Sequence, residues 1–220
     1  MSRHPLYHPP LCKENYQIII EDEDFLVVDK PAGLLSTDGK FVKDSLISRM
    51  QEKWPHADAV HRLDLDTSGL MVVPTNKEAL RNLAKQFRER VVKKEYQAIV
   101  AGIPQQSSGT IELAIAPDWQ NRPKQKLDAD NGKAALTHYE VIASDKKSNT
   151  SRLKLTPITG RSHQLRIHLV SIGHSILGCD FYAPEDIYQA SERLLLHATE
   201  LSFQHPLTGE WVSASSQAPF

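Results

Sequence analysis

The sequence predicts an α+β fold: a mixed, mainly antiparallel sheet with flanking helices. Short apolar runs of strand length follow one another directly, helical periodicity is confined to a few segments, and the connections between elements are short. The regular strand–helix alternation of a doubly wound sheet is absent. At 220 residues, 40% of them hydrophobic and 24% charged, the chain can bury a proper core.

The elements follow in order. Strands are predicted over 16–20 and 25–29, separated by the acidic turn Glu21-Asp22-Glu23-Asp24, with Lys30-Pro31-Ala32-Gly33 closing the hairpin. Asp44 is placed to cap a helix carrying Leu46, Ile47 and Met50. Residues 59–63 and 70–73 read as strands flanking the polar loop 64–69. Asn76 is a good N-cap for the clearest helix, whose Leu80, Leu83, Ala84 and Phe87 form one apolar stripe. Arg81, Lys85 and Arg88 lie off that stripe, so the helix can pack and still present cations. Strands over 96–100, 110–115, 134–143 and 152–155 come next. A helix over 162–172 has Ser162 as N-cap, Gly173 at the C′ position, and Leu165, Leu169 and Ile172 as its buried face. Strands over 194–203 and 211–214 form a closing hairpin. Residues 1–15 read as an N-terminal extension and 16–220 as one continuous domain.

Composition excludes several classes. No apolar run approaches the length of a bilayer span, and Met1 to Pro10 lacks the apolar core of a secretory signal, so a cytoplasmic protein is expected. Cys12 and Cys179 are expected as reduced thiols. A formal charge of −1 does not mark a globally basic nucleic-acid binder. Locally, Arg81, Lys85, Arg88, Arg90, Lys93 and Lys94 cluster, and Arg122, Lys124 and Lys126 alternate; either run fits a solvated face or a phosphate-tracking groove. Histidines number ten, but the chain has neither H-E-x-x-H nor C-x-x-C, and His163 and His168 fall on different helix faces, so no metal is expected.

Three segments carry chemistry. In His61-Arg62-Leu63-Asp64-Leu65-Asp66-Thr67-Ser68-Gly69, a carboxylate ends a strand in a loop dense with hydrogen-bonding groups, and Arg62 shares its face if the strand continues. A polar turn explains Asp66 to Gly69 but gives no reason for His61, Arg62 and Asp64. In Lys93-Lys94-Glu95-Tyr96, a tyrosine at a strand start can offer an aromatic face and a hydroxyl to a cleft; taken alone it fits a packed strand residue. In Gly160-Arg161-Ser162-His163-Gln164-Leu165-Arg166-Ile167-His168, Arg166 lies off the apolar stripe; taken alone it fits an exposed side chain, and if buried it needs an anionic partner.

Together these segments resemble the RluA-type pseudouridine synthases. The first is similar to the HRLD…TSG loop of that family, the second to its Lys-x-Tyr motif at Lys94 and Tyr96, and the third to its GR-x-HQLR-x-H segment. Asp29-Lys30-Pro31-Ala32-Gly33-Leu34 and Leu194-Leu195-Leu196-His197-Ala198 add to the likeness, which runs from about Tyr16 to the last strands. The roughly fifteen residues before the first strand leave no room for an S4-like domain, as in the short branch of the family.

The resemblance implies the pseudouridine synthase fold with a central catalytic cleft, and isomerisation of uridine in structured RNA without a cofactor. Asp64 is then the essential carboxylate, as nucleophile or as base. Arg166 pairs with it, and Tyr96 stacks on the uracil and helps to remove the C5 proton. Arg62 fills the space left by the flipped base, with His61, Lys94, Arg161 and Gln164 as further RNA-binding positions. Large-subunit ribosomal RNA and the tRNA anticodon stem-loop are the implied partners of a monomeric enzyme. Two rivals stand beside this reading: a hydrolase using Asp64 and Asp66 as a carboxylate pair, and a non-catalytic RNA-binding protein of the same fold.

Overall fold

The computed structural model describes residues 11–220, so residues 1–10 of the expected extension lie outside it. The first half of the chain forms β1 (Gln17–Glu21), β2 (Phe25–Lys30), α1 (Leu46–Gln51), β3 (Ser68–Pro74), α2 (Lys77–Arg88) and β4 (Lys93–Ala101). Next come β5 (Ser108–Glu112), β6 (Ile115–Pro117), β7 (Gln125–Leu127), β8 (Leu136–Asp145) and β9 (Thr150–Pro157). The last elements are α3 (Gln164–Ser171), α4 (Glu185–Gln189), β10 (Leu196–Gln204) and β11 (Trp211–Ser215). Contacts divide them into two units: the described residues up to Lys94 with His197–Pro219, and Glu95–Leu196 with Phe220.

In the first unit, pairing is antiparallel for β1–β2, β2–β3 and β10–β11, and parallel for β3–β10. The runs Phe25-Leu26-Val27-Val28 and Leu70-Met71-Val72-Val73 are buried on both faces, which explains why they read as continuous apolar stretches rather than alternating ones. Phe25, Val27, Leu70, Val72, Leu83, Leu201 and Phe203 form one core cluster, with Phe25 and Phe203 edge-to-face at 5.1 Å.

Both helices of this unit follow their sequence signals, one with a corrected start. Asn76 Oδ1 accepts from the Glu78 and Ala79 amides, as an N-cap should. The buried residues of α2 are Ala79, Leu83 and Gln86, so the stripe centres on Leu83 and takes in a polar side chain. Gln86 is satisfied there by exchanging two hydrogen bonds with the Gln204 backbone. Asp44 does not cap α1. Ser45 does, in a reciprocal capping box with Ser48, because Asp44 is drawn into a bidentate pair with Arg49 that holds its carboxyl below the usual range.

The expected strand over 59–63 is absent. The Val72 amide on β3 is met instead by a side chain, donating to His61 Nε2 at 3.1 Å. A strand argument that placed Arg62 and Asp64 on one face therefore fails: Arg62 is exposed and Asp64 half-buried on an irregular segment.

In the second unit, β4, β9, β8 and β5 pair antiparallel in that order, and β6 and β7 form a separate hairpin. Strand β9 alternates half-buried and buried residues, and its Leu153 and Leu155 join Ala98, Val100, Leu165, Leu169 and Ile176 in the core. Helix α3 is buried nearly all round, from Gln164 to Leu169, rather than along one face. Ser162 is not its N-cap. That position falls to His163, held in the left-handed region at φ 57° with no side-chain cap bond.

Candidate active site

Asp64 sits between two backbone anchors. On one side, the Ser36 hydroxyl donates to the Leu63 carbonyl at 2.7 Å and accepts from the Leu63 amide at 3.0 Å. On the other, the Leu65 carbonyl accepts from the Gly33 amide at 2.8 Å and from Lys30 Nζ at 3.2 Å. The Lys30 side chain is wholly buried, and its ammonium also donates to the Pro31 and Leu34 carbonyls. A buried ammonium needs such partners, and these carbonyl dipoles supply them. The Thr67 amide then donates to the Asp64 carbonyl and closes the loop as a turn. The segment 29–36 is thus the bed on which the carboxylate loop lies.

Gly69 ends that loop at φ +114°, and a Cβ there would lie 2.4 Å from both the amide nitrogen and the carbonyl oxygen of Ala198. Only glycine allows β3 and β10 to approach so closely at the Gly69–Ala198 pair. This is the physical content of the TSG triplet.

His61 is half-buried and stacked on Phe87 at 4.5 Å. Burial, reinforced by the nearby Lys94 ammonium, pushes its pKa down to about 3, so the ring is neutral and its Nε2 lone pair serves Val72. Lys94 is itself half-buried, and burial lowers the pKa of its amine.

Tyr96 stands on β4 opposite Leu155, half-buried against the core of its unit. Arg166 is fully buried, which rules out the exposed-arginine reading. It pairs with Asp180, donates through Nε to Cys179 Sγ at 3.3 Å, and lies 5.3 and 5.2 Å from the Phe181 and Tyr182 rings. The sequence reading missed Asp180, Phe181 and Tyr182. A lone acid between Cys179 and Phe181, in a stretch otherwise free of charge from Ser175 to Tyr182, was the available signal.

The rest of the third motif locks the helix that carries Arg166. Gln164 Oε1 accepts from Thr159 Oγ1 and the Arg161 amide, while its Nε2 reaches the Leu136 carbonyl and Thr137 Oγ1. All four bonding positions of that amide are therefore used within the protein. His168 is fully buried, with Nδ1 on Thr137 Oγ1 and Nε2 on the Leu113 carbonyl, and burial lowers its pKa. Because a carbonyl can only accept, the proton sits on Nε2 and Nδ1 accepts from Thr137. Arg161 is half-buried and donates to the Ala134 carbonyl.

Among the basic runs, Arg81, Lys85, Arg88 and Arg90 are exposed, and Lys93 lies over Trp211 at 5.0 Å. Arg122 covers exposed Trp119 at 3.7 Å beside the β6–β7 hairpin. Both cysteines are free thiols.

Asp22, Asp24 and His205 bring potential ligand atoms within 4.8 Å of one another. However, His205 Nδ1 accepts from the Leu207 and Thr208 amides, which leaves the proton on Nε2, the atom facing Asp22 at 3.4 Å. Asp24 Oδ1 meanwhile accepts from Asn76. These contacts join the Asp22–Asp24 turn to the turn between β10 and β11 and to the cap of α2.

Comparison with known proteins gives these features a common context. Residues 24–171 match the family described as RNA pseudouridylate synthase. The dual-specificity RNA pseudouridine synthase RluA of Pasteurella multocida is 48% identical over 216 residues, covering 97% of this chain and 98% of that protein. Its namesake in Escherichia coli K12 is 47% identical over 219 residues, with the same coverage. Among solved structures, human RNA pseudouridylate synthase domain containing 1 has a TM-score of 0.83 at 30% identity, covering 96% of this chain and 86% of that one. The matched family region holds the Asp64 loop, the Lys94–Tyr96 pair and α3 with Arg166, and on these grounds the chain belongs to the RNA pseudouridylate synthase family, the isomerases that convert uridine in RNA to pseudouridine.

Proposed function

We propose that the protein isomerises uridines in both large-subunit ribosomal RNA and the tRNA anticodon stem-loop, with Asp64 as the essential carboxylate and residues 16–220 working as one catalytic domain. The observation that carries the dual specificity is the near full-length likeness to relatives bearing that description. The reaction breaks the N1–C1′ bond of the target nucleotide, turns the uracil, and joins C1′ to C5, which loses its proton while the freed N1 takes one up. No electrons are gained or lost and no group leaves, so the chemistry asks for positioned side chains and no cofactor. The pinning of Leu63 and Leu65 supports a role for Asp64, because a carboxylate held between anchored neighbours needs little reorganisation before reacting. Tyr96 takes the role of uracil-stacking aromatic and helper in C5 deprotonation. Arg166, fixed by Asp180 and two aromatic rings, supplies a permanently charged guanidinium to the same chemistry.

Arg62, exposed beside Asp64, fills the stack when the base is flipped. Lys94 and Arg161 contact the RNA, whereas His61 and Gln164 contribute to binding by shaping the loops that carry Arg62 and Arg161. The protein works in the cytoplasm as a monomer.

The test is tritium release from RNA labelled at uridine C5, using tRNA, naked large-subunit ribosomal RNA and assembled ribosomal particles, with Asp64→Ala beside the wild type. Release from both RNA classes by the wild type alone is the expected result. Release from one class only would remove the dual specificity. RNA binding without release by either protein would favour a non-catalytic binder.

A further inference from the structure

Two motifs of the sequence, Asp29 to Leu34 and Leu194 to Ala198, lie outside the three chemistry-bearing segments, yet the structure brings their polar residues to the end of the Asp64 loop. The Ser68 hydroxyl lies 2.8 Å from His197 Nδ1, and His197 Nε2 lies 3.1 Å from the Ser216 hydroxyl. Ser216 donates in turn to Asp29 Oδ2. Ser68 and His197 are almost completely buried.

The direction of every proton in this chain follows from its last member. An ionised Asp29 can only accept, so the Ser216 hydrogen is committed to it. Ser216 must then accept from His197, which places the imidazole proton on Nε2. Nδ1 is left as an acceptor, and the Ser68 hydroxyl donates to it. One carboxylate on β2 thereby fixes the hydroxyl rotor of Ser68 at the start of β3, four residues after Asp64, through a histidine on β10.

We propose that His197 is a positioning residue for the reaction, acting through Ser68 to hold the exit of the Asp64 loop, with Ser216 and Asp29 setting its tautomer. This inference rests on the reading of Asp64 as the essential carboxylate. Lys30, Gly33 and Ser36 anchor the loop around Asp64, but its far end is fixed by Ser68 and the tight Gly69–Ala198 approach. A shift of the loop by a fraction of an ångström would be felt in the chemical step rather than in RNA affinity, since Ser68 and His197 are themselves almost completely buried.

The experiment measures kcat and KM separately with a C5-tritiated tRNA that the wild type converts. Ser68→Ala and His197→Phe should each lower kcat by about 10- to 100-fold, with KM within about two-fold of wild type. The double variant should be no worse than the poorer single one, because both remove the same link. His197→Asn, whose amide oxygen can take the place of Nδ1, should recover part of the loss, whereas His197→Gln, whose amide reaches toward Ser216, should not. A general packing defect would give multiplicative losses and no distinction between Asn and Gln. Ser68→Ala keeps the test open if His197→Phe folds poorly. Unchanged kcat in Ser68→Ala, or losses confined to KM, would overturn the proposal. Asp64→Ala runs alongside: if it stays active, the reading of Asp64 fails, and if it is inactive while Ser68→Ala is unimpaired, the positioning role alone fails.

Discussion

Replacing Gly69 by alanine tests how tightly the carboxylate loop is joined to the sheet. Two costs add. The backbone at φ +114° is a region that side chains rarely adopt, which costs about 1–3 kcal/mol. The new Cβ would also meet the Ala198 backbone at 2.4 Å, and backbone on a paired strand cannot swing aside as a flexible side chain can. Relieving the contact means parting β3 from β10 at a parallel pairing of two residue pairs, His197–Ser68 and Ala198–Gly69; overpacking of this kind costs a further 1–3 kcal/mol or so. The sum is about 4 kcal/mol, or roughly 8–16 °C in melting temperature for a chain of this size. Gly209→Ala is the matched control: its φ is also positive, at +77°, but nothing lies within 4 Å of the added carbon, so it bears only the backbone cost. Thermal unfolding of the two variants, followed by circular dichroism, isolates the contact. If they melt within about 3 °C of each other, the close approach of β3 and β10 has been misjudged.

Three further outcomes are expected. The His61 pKa falls from 6.5 to about 3 on folding, so below pH 6.5 the unfolded chain gains a proton that the folded ring refuses; stability present above pH 6.5 is lost as pH falls toward 3, on the order of a few kcal/mol. His61→Gln should flatten unfolding free energy against pH across that window, and an unchanged slope would rule the effect out. Lys30→Met should destabilise by about 2–4 kcal/mol in urea unfolding, since it removes three charge-assisted bonds to carbonyls and exposes nothing to water in exchange. Arg166→Met deprives the buried Asp180 carboxylate of its guanidinium and should cost about 3–5 kcal/mol. Adding Asp180→Asn should recover part of that; a double variant less stable than Arg166→Met would refute the account.

What could be read from the sequence, and what could not, divides by the range of the interaction responsible. Asn76 and the stripe around Leu83 announce α2 because a cap and a helical face are local. The β10–β11 hairpin is legible for the same reason, through its short turn. Residues 59–63 mislead because a side chain, His61, stands in for a strand partner, and no local pattern encodes that substitution. Asp44 misleads because Arg49 competes for it, leaving the cap to Ser45. For the candidate site, the motifs single out Asp64, Tyr96 and Arg166 only by likeness, and the burial of Arg166 depends on Asp180, fourteen residues onward. The bed formed by Lys30, Gly33 and Ser36 is equally hidden, since glycine in a turn and a lone lysine look like surface residues until the fold encloses them.

The first unit is discontinuous in sequence, and this bears on the order in which the enzyme becomes competent. During synthesis, β1, β2, α1, β3 and α2 leave the ribosome long before β10 and β11, which contribute Leu201, Phe203 and Ala214 to the same core. Ser68 must wait for His197, 129 residues later, and Gly69 for Ala198. Contacts of such long separation form slowly. A nascent chain therefore carries the Asp64 loop without its lock until the final hairpin has been made, and a polypeptide cut short before His197 holds that loop on an unfinished support.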